Sequence, residues 1–204
     1  MKKILITIGL AALVTSSQAQ GLLNFVNAAA TVVGLVSNAV DIGTTPATLG
    51  GFRYEIFRGS QGNLNPALMI ATGAIGTNTS AGRFVGGNSL AVPGAPLGAS
   101  AAMMVRGWSA NLGANYATAL VNSTILGGYI GESAIAPNFQ FGGDPGTGFI
   151  PSSPVFGGAF GIVPQSGTRG FSLTYVPVVI TPEPTSMALA GIGAAAMVIF
   201  RRRK

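Results

Sequence analysis

The chain alternates hydrophobic and polar residues over short stretches that are separated by glycine and proline. In the clearest stretch, Phe52, Tyr54 and Ile56 alternate with Arg53 and Glu55. A period of two is typical of a strand with one buried face. The same criteria predict further strands at 102–108 and 171–180, and shorter ones at 22–26, 83–85 and 139–141.

Turn signals interrupt these stretches, and the helical signal is weak. Pairs such as Pro93-Gly94 and Gly142-Gly143 mark turns. Residues 28–40 are rich in Ala and Val, but their β-branched residues favour a strand over a helix. One or two helical turns are predicted at 114–120. Many short strands between frequent turns predict an all-β body, an antiparallel β-sandwich, in a single domain over residues 20–180.

The N-terminal residues have the pattern of an export signal. Lys2 and Lys3 precede an apolar stretch at 4–14, which is followed by small and polar residues up to Ala19. This order of segments is typical of a secretory signal peptide. We predict a signal peptide at residues 1–19 that is cleaved between Ala19 and Gln20, so the general secretion machinery is an expected partner.

Residues 181–204 combine three elements in a fixed order. They are Pro182-Glu183-Pro184, an uncharged apolar stretch at about 185–200, and the basic run Arg201-Arg202-Arg203-Lys204. Each proline fixes its own backbone and disfavours helix at the residue before it. The apolar stretch would reach roughly 24 Å as a helix, against a bilayer core of about 30 Å. The pattern predicts a weak single transmembrane helix with its basic tail in the cytoplasm and the body outside.

This C-terminal arrangement resembles the PEP-CTERM sorting signal. Proteins with that signal are exported substrates of exosortases, which are membrane transpeptidase-like enzymes. The resemblance implies that an exosortase is a partner and that it recognises Pro182, Glu183 and Pro184. It also implies that the chain is anchored transiently in the inner membrane and is then processed to the cell surface or an extracellular matrix. Residues 105–110 and 113–117 are similar to a segment in the bodies of some other PEP-CTERM proteins.

The net charge of +6 gives a misleading picture of the body. Lys2, Lys3 and the basic run at 201–204 lie in the two terminal segments. Between residues 20 and 180 there are five arginines and four acidic residues, a net charge of +1. Nucleic-acid binding would need basic residues clustered on one face, so no nucleic-acid partner is expected.

The residue types of the body exclude most catalytic chemistry. The chain contains no histidine and no cysteine, and the body contains no lysine. Zinc and copper sites, Ser-His-Asp systems and Schiff-base lysines are therefore not expected. Asp144 stands in a Gly-Pro turn where local hydrogen bonds favour aspartate. Glu55 is expected to form a cross-strand ion pair with an arginine. No catalytic residue, metal or cofactor is predicted.

The sequence favours an exported, non-enzymatic surface or matrix protein, and it leaves two alternatives open. One is a carbohydrate-binding module that holds extracellular polysaccharide by stacking on Trp108, Tyr116 and Tyr129, although such aromatic residues more often belong to a core. The other is a glycosidase, which needs only two carboxylates, such as Glu55 and Glu132.

Overall fold

The computed structural model describes residues 20–28, 31–95, 97–164, 169–179 and 184–202. The predicted signal peptide at 1–19, with Ala19, lies outside these residues, and so do Pro182, Glu183, Arg203 and Lys204. The described chain begins at Gln20, and the backbone of the next residue is bound into the fold. The N–H of Gly21 donates to the carbonyl of Ala95, and its carbonyl accepts from Val92.

The described residues are mostly strand, as the alternation predicts. The strands are β1 (Leu22–Val26), β2 (Val32–Ser37), β3 (Val40–Thr44), β4 (Phe52–Gly59), β5 (Ile70–Ser80), β6 (Arg83–Ala91), β7 (Ser100–Ser109), β8 (Gly128–Glu132), β9 (Ala136–Gln140), β10 (Ser153–Pro154) and β11 (Arg169–Val176). The helices are α1 (Tyr116–Leu126) and α2 (Pro184–Arg202), and short 3-10 turns cover Pro66–Leu68 and Ala110–Leu112.

These strands form one curled, mixed sheet in the described part of the chain. Their order is β10-β1-β6-β5-β4-β7-β8-β11-β2-β3, and β9 pairs with β7. Strands β1 and β10 run parallel, as do β2 and β11. The prediction of a purely antiparallel arrangement is therefore wrong, and the sandwich is not confirmed. Alternation along one strand defines its buried face but not the direction of its neighbour, which depends on long connections.

The β5–β6 turn is bound to the start of β2, to Asn27 before it and to Thr45 after β3, which helps to hold the curl of the sheet. The N–H of Gly82 donates to the carbonyl of Thr45, and its carbonyl accepts from Val33. The buried amide of Asn27 donates to the carbonyl of Gly82 at 2.8 Å and accepts from the N–H of Phe84 at 2.7 Å. The strands therefore enclose one main core, in which Phe84 stacks on Tyr54 with ring centres 4.4 Å apart.

Strand β7 lies centrally and is buried on both faces. Met103 and Val105 point into the main core, whereas Met104 and Trp108 point to the opposite face, as the alternation predicts. That second face is covered by α1 and the turn before it. Trp108 is completely buried there, and its Nε1–H donates to the carbonyl of Gly113 at 2.9 Å.

The C-terminal stretch predicted as a transmembrane helix is helical, but its ability to span a membrane is not confirmed. Helix α2 runs from Pro184 to Arg202 and includes the predicted stretch at about 185–200. Among the helices of the described residues, none has both the length and the mean hydropathy needed to cross a membrane.

Candidate functional site

The C-terminal segment is the first candidate site, and its described part is helix α2. The helix begins at Pro184, the second proline of the predicted recognition motif. Proline favours the first helical position because its fixed φ suits a helix and its missing N–H has no partner there. Arg201 and Arg202 lie exposed in the last turn, where positive charge complements the helix dipole. The described part of the helix therefore begins at the second proline of the motif, a position that suits proline.

A row of charged residues crosses three neighbouring strands of the body and forms the second candidate site. Glu55 on β4 lies directly opposite Arg106 on β7, and Arg106 lies opposite Glu132 on β8. Directly opposite residues share one face of a sheet. All three side chains therefore belong to the face that α1 covers.

Arg106 lies at the centre of this row, and its guanidinium makes polar and aromatic contacts. Its Nε lies 3.2 Å from Oε2 of Glu132, and its Nη2 donates to the carbonyl of Pro66 at 2.9 Å. The guanidinium carbon lies 4.4 Å from the ring centre of Phe57 and 4.9 Å from that of Tyr116. Cation–π contacts of this kind stabilise a partly desolvated arginine. Arg106 thus joins β7, β8, α1 and the 3-10 turn before β5.

Glu55 is buried, with only 3% of its surface exposed, and it holds the start of α1. Its Oε1 accepts from the N–H of Gly73 at 3.2 Å, and its Oε2 accepts from the N–H of Tyr116 at 3.5 Å. Tyr116 is the first residue of α1, so the carboxylate also lies at the positive end of the helix dipole. The predicted cross-strand ion pair of Glu55 is wrong among the described residues, because Arg106 pairs with Glu132 and Glu55 binds backbone amides.

A small cleft of about 290 Å³ opens beside this row, lined in part by Glu55, Arg106, Tyr116 and Leu120. Burial raises the pKa of the Tyr116 hydroxyl above its usual value, while the charge of Arg106 opposes that shift. The contacts of Glu55 and Glu132 give both carboxylates a role in holding strands and helix together. Within the described residues, no cluster of three or more acidic side chains could hold a metal ion.

The structure does not bring the three candidate stacking residues onto one surface. Trp108 is completely buried, so it has no exposed ring face for a sugar. Tyr116 is half-buried and packs against Trp108 with ring centres 5.9 Å apart. Tyr129 packs on the main core, on the other face of the sheet, and its ring centre lies 5.2 Å from that of Tyr175. The interpretation of Trp108 as a core residue is the one that the structure supports.

Sequence reasoning did not anticipate the row of Glu55, Arg106 and Glu132 as a unit. Strand β8 was not predicted, because Gly127-Gly128 has the sequence of a turn. The strand that pairs with Glu132 could therefore not be identified. The helix that covers the row is also longer than the predicted segment at 114–120. Its caps gave a usable signal: Asn115 accepts from the N–H of Thr118 at 2.9 Å, and Gly127 ends the helix.

Comparison with known proteins bears on one of the two candidate sites, the C-terminal segment. No curated protein and no solved structure matches the chain significantly. Residues 181–204 match the family model of the PEP-CTERM protein-sorting motif. This match confirms the resemblance drawn from the proline-acid-proline sequence and the basic run, and it supports an exported protein that an exosortase sorts. The chain therefore carries a PEP-CTERM sorting motif at its C-terminus.

Proposed function

We propose that this protein is an exported, non-enzymatic surface or matrix protein whose C-terminal segment is read and cut by an exosortase. The signal peptide at 1–19 directs export and is removed before Gln20. Helix α2 then engages the inner membrane, with the body outside and the basic run at 201–204 in the cytoplasm. Recognition of Pro182, Glu183 and Pro184 leads to release or transfer of the body.

The observation that carries this proposal is the match of residues 181–204 to the sorting motif. Physical reasoning supports it independently. A proline on each side of Glu183 keeps the acidic residue out of a helix, and proteases read an extended backbone. A basic cluster after an apolar helix resists transfer across a bilayer. The described helix α2 lacks the combined length and hydropathy of a stable membrane span, and a weak helix followed by such a cluster fits an anchor that is used once and then removed.

The non-enzymatic role of the body is supported by the state of its carboxylates. Glu55 binds two backbone amides, and Glu132 pairs with Arg106. Asp41 pairs with Arg169, and Asp144 accepts from the backbone of its own turn. Each acidic side chain thus has a structural contact, which fits a body selected for packing.

A transplant of the C-terminal segment tests the proposal. Residues 181–204 are fused to an unrelated exported reporter and expressed in cells that contain an exosortase. We expect the reporter to be anchored, cut near the motif and delivered to the cell surface. In a matched fusion, Pro182, Glu183 and Pro184 are replaced by alanine, and in a control Thr185 and Ser186 are replaced instead. Equal processing of the wild-type and motif-substituted fusions would refute the proposal.

A further inference from the structure

Helix α1 presents its large apolar side chains outward. Among its residues only Ala119 and Ser123 are buried, since the helix lies close to Trp108 on β7 and leaves room only for small side chains. Four large residues of α1 and two of the segment that follows β11 form what we call the α1 apolar face. Their exposed fractions are Leu120 54%, Val121 64%, Ile125 61%, Leu126 53%, Val178 45% and Val179 61%.

This arrangement reverses that of an ordinary surface helix. A helix on a soluble domain normally turns polar residues to water and apolar residues to the core. Helix α1 contains no charged residue at all. Charged side chains lie against its N-terminal end: Arg53, Glu55 and Arg106 contact Tyr116 or the residues just before it, and Glu132 lies close enough to act on the Tyr116 hydroxyl. The rest of the face could therefore leave water without desolvating a charge.

The α1 apolar face lies where the chain leaves the body for the sorting segment. The N–H of Val179 donates to the carbonyl of Thr124 at 3.0 Å, which fixes the exit to α1. Val178 packs closely on Gly127, because a Cβ added to Gly127 would lie 3.0 Å from Cγ2 of Val178. From Val179 to the start of α2 at Pro184 is five residues, and these can span at most roughly 18 Å. Covalent geometry thus keeps this face near the outer end of α2.

We propose that the α1 apolar face rests in the lipid interface of the outer leaflet while the sorting segment holds the chain at the membrane. The occupant is a lipid surface because the face is uncharged, continuous with the exit of the chain and tethered next to a membrane-directed helix. A helix binds such an interface by burying exposed apolar side chains at the boundary between the headgroups and the acyl chains. The contact fixes the height of the Pro182-Glu183-Pro184 motif above the bilayer and so presents it to the membrane enzyme. This inference rests on the proposed anchoring by α2.

Site-directed fluorescence on the full chain tests the proposal, and the absence of cysteine allows single labelling without a background. Val121→Cys reports on the face, and Val85→Cys on β6 is the matched control, since both valines are exposed, at 64% and 46%. Each variant carries an environment-sensitive nitrobenzoxadiazole dye. The protein is reconstituted into vesicles of phosphatidylethanolamine and phosphatidylglycerol, and flotation measures anchoring separately.

We expect the dye at residue 121 to shift to the blue, to brighten several-fold and to be quenched by nitroxide-labelled lipid. The dye at residue 85 should keep its emission in water. Adding Ile125→Asp to the Val121→Cys chain should abolish the shift without changing the circular dichroism spectrum, because residue 125 is exposed. If the Val121→Cys protein floats with the vesicles but its dye keeps the emission that it has in water, this inference is overturned and the proposed sorting function is not. If the protein does not float with the vesicles, both this inference and the proposed anchoring are overturned. A shift without vesicles that grows with protein concentration would show that a second copy covers the face instead.

Discussion

The body and the C-terminal segment of this chain carry different kinds of information. The body has one main core, and its buried Asn27, Asn78 and Glu55 side chains are hydrogen-bonded to backbone groups. The segment at 181–204 is a short linear motif with a basic end, and it is the part that known proteins share. Recognition of a short linear motif depends on the identity of a few residues. The stability of a folded body depends on how its side chains pack. The two regions should therefore respond to substitution in opposite ways.

Replacing Pro182, Glu183 and Pro184 with alanine in the full chain gives the largest expected effect on function. We expect loss of C-terminal processing, while the free energy of unfolding of the body changes by less than about 0.5 kcal/mol. Immunoblotting of cell fractions measures the first quantity, and urea unfolding measures the second. Normal C-terminal processing of this variant would contradict the claim that the motif carries the sorting information.

The opposite result is expected from Phe84→Ala in the core. Phe84 is completely buried and packs against Phe25 and Tyr54 with ring centres 5.0 and 4.4 Å away. Removing the ring should cost about 3–5 kcal/mol of unfolding free energy. The single tryptophan, Trp108, is buried and provides the fluorescence signal for urea unfolding.

The neighbouring substitution Val85→Ala is the control, because Val85 is exposed and should change stability by at most about 0.5 kcal/mol. Chains of Phe84→Ala that remain folded should still be cut at the tail. Failure of cutting in folded molecules would mean that the enzyme also reads the body.

Glu55→Ala should have an intermediate effect on stability. It leaves the N–H groups of Gly73 and Tyr116 without their acceptor, which typically costs about 1–3 kcal/mol. Glu55→Gln keeps one carbonyl acceptor and should lose less. Hydrogen exchange should show faster exchange at Tyr116 and in the first turn of α1. Equal stability of all three proteins would contradict the assigned role of Glu55.

The smallest effect is expected at Asp41, and it should depend on pH. The N–H of Gly43 and the guanidinium of Arg169 hold the pKa of Asp41 below its usual 3.8. A carboxyl whose pKa is lowered by folding stabilises the fold above the unfolded pKa, and this contribution is lost as the pH falls through the folded pKa.

The variant Asp41→Asn should therefore be slightly less stable than wild type at neutral pH. The gap should close as the pH falls below 3.8, through the lowered pKa of Asp41. Thermal unfolding of both proteins across this range measures the gap. A gap that stays constant would show that the ionised carboxylate is not the source of the difference.

The strands in which polar and apolar residues alternate could be predicted from the sequence. The elements without this alternation could not. The two faces of β7 follow the pattern, and so do Phe52, Tyr54 and Ile56 on β4, although the second face of β4 is also buried at Glu55 and Phe57. Strand β5 turns Thr72, Ala74, Gly76 and Asn78 inward, so its buried side has no hydrophobic period. Helix α1 was underestimated because its large apolar residues face outward. Parallel pairing of β2 with β11 depends on residues far apart in the chain, which local patterns do not report.

The candidate site in the C-terminal segment could be predicted from the sequence, because its residues are neighbours in the chain. The candidate site in the body could not. The proline-acid-proline sequence, the apolar helix and the basic run are adjacent in the chain, so their combination is visible without a structure. The row of Glu55, Arg106 and Glu132 comes together only through strand register. Trp108 could be considered a sugar-binding residue from the sequence, because its neighbours in the chain do not reveal that a helix covers it.

Intact-mass analysis of the protein from the cells that make it tests the central claim most directly. Our account predicts a mature chain that begins at Gln20 and lacks the residues beyond the neighbourhood of Pro182-Glu183-Pro184. A mature chain that still ends in Lys204 would contradict it.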